Sequence, residues 1–125
     1  MEQERKDERV GILVLEDEAS TMDLVVHYLR EASGNARIST AECLAAALGC
    51  LSGQRIDLII ADLHLPDSRG LDTVDALRRA GEQLIIVLTA DADPALQRGA
   101  LERGAYDFLH KSQLNEASLG RLVRL

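Results

Sequence analysis

Apolar residues in this chain fall into short unbroken runs, and between the runs they recur at spacings of three and four. Residues 10–15 (Val-Gly-Ile-Leu-Val-Leu), 58–61 (Leu-Ile-Ile-Ala) and 84–88 (Leu-Ile-Ile-Val-Leu) contain no polar position. Runs of this kind, bounded by turn residues, predict strands buried on both faces, as in a parallel sheet. Two weaker strands are predicted at 36–39 and 106–109. After Ser20 the pattern turns helical, with Met22, Val25, Leu29 and Ala32 on one face and Ser33-Gly34-Asn35 closing the segment, Gly34 as its cap. Thr40 is placed to cap a second helix through the alanine-rich residues 41–51. A third helix, 70–80, turns Leu71, Val74 and Leu77 inward. Pro94 suits the first turn of a fourth, which Gly104 stops, and a fifth at 116–125 turns Leu119, Leu122 and Val123 inward.

Five strands alternating with five helices predict an α/β fold with helical crossovers between parallel strands. The natural closure for five such units is a five-stranded, doubly wound, flavodoxin-like (βα)5 sheet of strand order 2-1-3-4-5. Residues 10–125 form that domain. Residues 1–9, almost wholly charged, read as a flexible N-terminal tail.

Composition narrows the picture. A length of 125 residues fits one domain with a real core, and the three aromatics, Tyr28, Tyr106 and Phe108, leave that core to aliphatic residues. The net charge of −7 argues against nucleic-acid binding by this chain, because phosphate contacts need a basic face. No apolar stretch reaches membrane-spanning length and the charged N-terminus lacks a signal segment, so no membrane is expected and the chain is placed in the cytoplasm. Cys43 and Cys50 share a helix face about 10 Å apart, too far to be bridged, and read as small apolar residues.

In the predicted strand order, strands one, three, four and five deliver their carboxyl ends to one crevice. Glu16 and Asp17, Asp62, Thr89 and Lys111 arrive there. Asp62, alone, could merely open a loop. Three carboxylates together repel one another unless a cation is shared, and a hard cation with oxygen ligands, Mg²⁺ above all, resolves the conflict. A metal, a carboxylate nucleophile, a hydroxyl and a lysine are what phosphoryl transfer to a carboxylate requires.

These residues give the chain a clear family likeness. Glu16-Asp17 after the first strand, Asp62 followed by Pro66 and Gly70, then Thr89-Ala90 and Lys111 resemble the response-regulator receiver domains of two-component signalling, over residues 10–125. The resemblance implies that Asp62 accepts a phosphoryl group from a histidine kinase or histidine phosphotransfer protein. It implies Mg²⁺ held by Asp17, Asp62 and the backbone carbonyl of His64, with Glu16 acting through water. Thr89 and Lys111 would contact the phosphoryl group, Ala90 would leave room for it, and Phe108 with Thr89 would form the switch. The output surface would be helix four, strand five and helix five, offered to an output domain, a downstream protein or a second copy.

One departure stands out: the family usually has proline after the lysine, and here Ser112 follows Lys111. His64, two positions after Asp62, is expected to tune the phosphoryl lifetime with a pH dependence near neutrality. The chain reads as a signalling switch rather than an enzyme, with limited self-catalysed phosphorylation and dephosphorylation. Two alternatives are a pseudo-receiver, a phosphorylation-independent interaction module, and a flavodoxin-like cofactor binder, which Glu16-Asp17-Glu18 would disfavour by repelling phosphate. With no output domain, it is either a stand-alone receiver or one module of a longer protein.

Overall fold

A computed structural model describes residues 8–124. Five parallel strands form the sheet: β1 (Gly11–Leu15), β2 (Arg37–Ala41), β3 (Leu58–Ala61), β4 (Leu84–Thr89) and β5 (Asp107–His110), in the order β2-β1-β3-β4-β5. The crossovers are α1 (Ala19–Ala32), α2 (Leu44–Gly53), α3 (Leu71–Ala80) and α4 (Pro94–Glu102), and α5 (Glu116–Val123) follows β5. The flavodoxin-like (βα)5 architecture and its strand order are as the sequence predicts. The expected tail lies largely in residues 1–7, outside the described residues, as does Leu125.

Alternation along each strand divides the core into two layers. Ile12, Val14, Leu58, Ile60, Ile86 and Leu88 point to one face and meet Val25, Leu29 and Leu119 of α1 and α5. Leu13, Leu15, Ile59, Ala61, Ile85 and Val87 point to the other and meet Ala47, Val74, Leu77 and Ala100 of α2, α3 and α4. Both faces are covered, which is why the three central strands, β1, β3 and β4, carry no polar alternation.

Three local expectations change. Thr40 and Ala41 do not open α2; they belong to β2, paired with Val14 and Leu15, and Ala41 is buried. A sheet partner outweighs alanine's helix propensity here. Helix α2 starts at Leu44 without a cap of its own, and Asp67 supplies one from the loop after β3: its two oxygens accept from Leu44 N–H at 2.7 Å and Ala45 N–H at 3.0 Å. Gly34 does not cap α1 in a left-handed conformation; Ser33 ends that helix, its N–H donating to Leu29 O. The last strand begins at Asp107 rather than at Tyr106, which is exposed. Cys43 and Cys50 are both free thiols, half-buried.

Candidate functional site

The carboxyl ends of β1 and β3 are neighbours, and the ladder continues one residue past each. Glu16 N–H donates to Ala41 O at 3.0 Å and Asp62 N–H to Leu15 O at 2.9 Å, so both acidic residues are fixed by their backbones before any side-chain contact forms. Glu16 is only 2% exposed and Asp62 6%, while Asp17 beside them is exposed. One carboxylate oxygen from each of Glu16, Asp17 and Asp62 lies within 4.8 Å of the others.

Lys111 follows β5, two strands away from β3. At about 4.8 Å per strand that gap is roughly 10 Å, which only a long side chain crosses. Its Nζ sits 2.9 Å from Glu16 Oε1 and donates to Asp62 Oδ2 at 3.0 Å. Burial opposes the lysine's charge, but its hydrogen bond to Asp62 and its attraction to both carboxylates outweigh it, and its pKa is raised. Glu16 is shifted upward too. Burial is the main cause and Asp62 adds repulsion, against the lowering contacts from Lys111 and from Glu18 N–H.

The other Asp62 oxygen, Oδ1, accepts from His64 N–H at 3.1 Å. The loop beyond is drawn tight. His64–Leu65 pair antiparallel with Ser68–Arg69, a small ladder the sequence did not announce. Gly70, at φ 60°, donates its N–H to Leu63 O at 2.8 Å, and the Thr73 hydroxyl donates to the same carbonyl at 3.2 Å. The positive φ accounts for glycine at position 70. The His64 ring reaches across the mouth of the site, its Nε2 3.6 Å from Asp91 Oδ2.

Thr89 ends β4 fully buried, and its hydroxyl accepts from Asp91 N–H at 3.2 Å. Ala90, next to it, is exposed. Phe108 is half-buried, packed against the core on one side and lining a groove of 370 Å³ with Ala92, Asp93, Gln97 and His110 on the other. The structure thus gathers Glu16, Asp17, Asp62 and Lys111 into one cluster, with Thr89 and Ala90 at the next strand end. Two residues beyond the sequence reading also shape the site: Asp67, through its cap on α2, and His110, whose ring bonds Ala90 O. Neither of these two contacts carries a local signal, because each reaches a segment distant in sequence.

The donor set suits a hard divalent cation. Three carboxylates face one ammonium, leaving excess negative charge, and all the available ligand atoms are oxygens. Glu16 Oε1 is ion-paired to Lys111 but not aligned as a hydrogen-bond acceptor, so a buried oxygen keeps unused acceptor capacity. No helix among the described residues is long and apolar enough to cross a membrane.

Comparison with known proteins bears on this arrangement. The family model of the response regulator receiver domain matches residues 12–123. The KDP operon transcriptional regulatory protein KdpE of Escherichia coli is 34% identical over 103 residues, covering 81% of this chain and 44% of that protein. The chain spans less than half the length of the curated relatives it matches. Among solved structures, the chemotaxis response regulator CheY4 of Vibrio cholerae superposes with a TM-score of 0.80 at 26% identity, covering 93% of this chain and 97% of that one. A response regulator of Burkholderia pseudomallei, solved with a phosphorylated aspartic acid, a calcium ion and citrate, gives 0.77 at 25% identity, covering 88% and 64%.

Proposed function

Because this chain belongs to the response regulator receiver domain family, a family of signalling modules, we propose that it is a phosphorylatable switch with Asp62 as the acceptor. The observation that carries this reading is the bridging of Glu16 and Asp62 by Lys111 Nζ, at 2.9 and 3.0 Å, with the Asp17 carboxylate alongside. The phosphorylated aspartic acid of the Burkholderia pseudomallei regulator supports it by analogy.

In this proposal a carboxylate oxygen of Asp62 attacks the phosphorus of a phosphohistidine on a histidine kinase or phosphotransfer protein. The P–O bond forms as the P–N bond breaks, and the imidazole leaves with the donor. Asp17, Asp62 and the His64 carbonyl would hold Mg²⁺, with Glu16 acting through water, and when bound it would neutralise charge on the transferring group. Lys111 would exchange its contact with Asp62 for one to a phosphoryl oxygen, and Thr89 would turn from Asp91 toward the same group. Ala90, lacking bulk, would leave the entry open. Phe108 lies between core and groove, where a change in packing would be read on the α4–β5–α5 face by an output domain, a downstream protein or a second copy. The cytoplasm is the compartment this chemistry fits.

Intact-protein mass after incubation with acetyl phosphate and Mg²⁺ tests the reading. The expected result is a single labile phosphoryl adduct, absent from Asp62→Asn and absent without Mg²⁺. No adduct together with no Mg²⁺ binding would instead favour a pseudo-receiver that works as a phosphorylation-independent interaction module.

A further inference from the structure

His110 ends β5 in register with Thr89, immediately before Lys111. Its ring has a one-way partner at each nitrogen. Ser112 N–H, which can only donate, lies 3.1 Å from Nδ1. The carbonyl of Ala90, which can only accept, lies 2.9 Å from Nε2. The two contacts are compatible with one neutral form, in which Nδ1 carries the lone pair and Nε2 the proton. The Ser112 hydroxyl, 2.7 Å from Nδ1, then donates as well. The same ring caps the short 3₁₀ turn Lys111–Gln113. A proline at position 112 would have no N–H to give.

We infer that His110 is a positioning residue: as the Nε2–H tautomer it fastens the Thr89–Ala90 loop to the turn that carries Lys111. Side-chain hydrogen bonds thereby hold this turn where Ser112 stands in place of the family's usual proline. The inference rests on the receiver reading above, since Lys111 and Ala90 flank the place the phosphoryl group would occupy. Lys111 reaches two strands across the sheet, so a small rotation at its root moves Nζ by a large fraction of a hydrogen-bond length. The clamp fixes that root. It also ties any displacement of Ala90 to the lysine's turn, because the ring is bonded to both.

The two halves of the clamp can be separated. His110→Gln keeps a donor near the Nε2 position and loses the acceptor that meets Ser112. His110→Asn keeps an acceptor near Nδ1 and does not reach Ala90. His110→Ala loses both.

The test combines ring ¹⁵N spectra at about pH 8, above the ordinary imidazole range, with the rate of adduct formation from acetyl phosphate at saturating Mg²⁺. The parent's His110 should show the Nε2–H pattern, and Ser112→Pro should shift it toward a tautomer mixture. Adduct formation should slow about fivefold in His110→Ala, the equilibrium worth of roughly one net hydrogen bond. His110→Gln and His110→Asn should each recover part of the loss, with folded fractions checked by circular dichroism. A loss of thermal stability alone would not move the tautomer or produce the split rescue. An Nδ1–H ring in the parent, or an unchanged rate in His110→Ala, overturns the clamp. If the parent forms no adduct and binds no Mg²⁺, the phosphoacceptor reading falls, and the ring spectrum alone decides the clamp.

Discussion

Glu16 is the most deeply buried carboxylate in the cluster. It is almost fully buried, its pKa is raised chiefly by that burial, and a single lysine faces it and Asp62 together. A carboxylate whose folded pKa lies above its unfolded value binds its proton more tightly in the fold. The stability tied to it is fully present below pH 4.5 and is lost as pH rises through the raised folded value. Glu16→Gln mimics the protonated form, so at pH 7 it should melt higher than the parent, by about 2–4 °C, and the gap should close as pH falls toward 4.5. Thermal midpoints across pH check this; a lower midpoint for Glu16→Gln at pH 7 would show that its pairing with Lys111 outweighs its burial. Added Mg²⁺ should raise the parent's midpoint and raise that of Glu16→Gln less. Lys111, raised through its two acidic partners, contributes stability that persists below pH 10.5 and disappears above its folded value. Lys111→Ala should slow adduct formation by about 10²-fold, the usual consequence of removing one charge-stabilising donor, and kinetic mass spectrometry reads that loss directly.

Among the elements, α2 shows where sequence legibility stops. Strand runs and inward helix faces could be read because burial on both sheet faces writes itself as composition. Glu16, Asp17, Asp62, Thr89 and Lys111 could be read as strand ends for the same reason. The start of α2 could not, because its cap lies 23 residues downstream in Asp67, and Thr40 and Ala41 are drawn into β2 by β1. The ring bonds of His110 were hidden likewise, since Ala90 lies 20 residues upstream. Asp67 therefore links α2 to the loop that carries His64 and follows Asp62. Its pKa is lowered by the backbone N–H groups of Ala45 and Leu44. A depressed carboxylate pKa contributes stability present above the unfolded value of 3.8 and lost as pH falls through the folded one. Asp67→Ala should speed hydrogen exchange at Leu44 and Ala45 several-fold while β1 and β3 keep their protection. Asp67→Asn should retain part of the protection and lose the acid dependence. Unchanged exchange at both amides in Asp67→Ala would remove the cap from consideration.

Across the whole molecule the two layers are unequal, and the inequality determines where a switch can act. One layer buries Val25, Leu29 and Leu119 of α1 and α5 against the strands, and on the other face α3 sits at the centre with Val74 and Leu77. Its flanking helices are held more lightly: α2 and α4 each fully bury only an alanine, Ala47 and Ala100, with Leu44, Cys50 and Leu51 of α2 and Leu96 of α4 partly buried beside them. Helix α2 gains the Asp67 cap. Helix α4 follows the loop from Thr89 to Asp93, the segment a phosphoryl group on Asp62 would pull on. A helix that buries one alanine and half-buries one leucine opens at lower free energy than one that fully buries two large side chains, so α4 belongs to the low-stability end of the fold. Native-state hydrogen exchange should find α4 amides exchanging at least about tenfold faster than those of α1, a difference of about 1.4 kcal/mol in opening free energy. On phosphorylation the largest changes in protection should fall on α4 and the Thr89–Asp93 loop, because a ligand shifts most readily the element whose alternative state is already accessible. Protection in α4 equal to that in β3 would mean that the fold opens only globally. The output surface would then have to respond through side chains such as Phe108 on a fixed backbone.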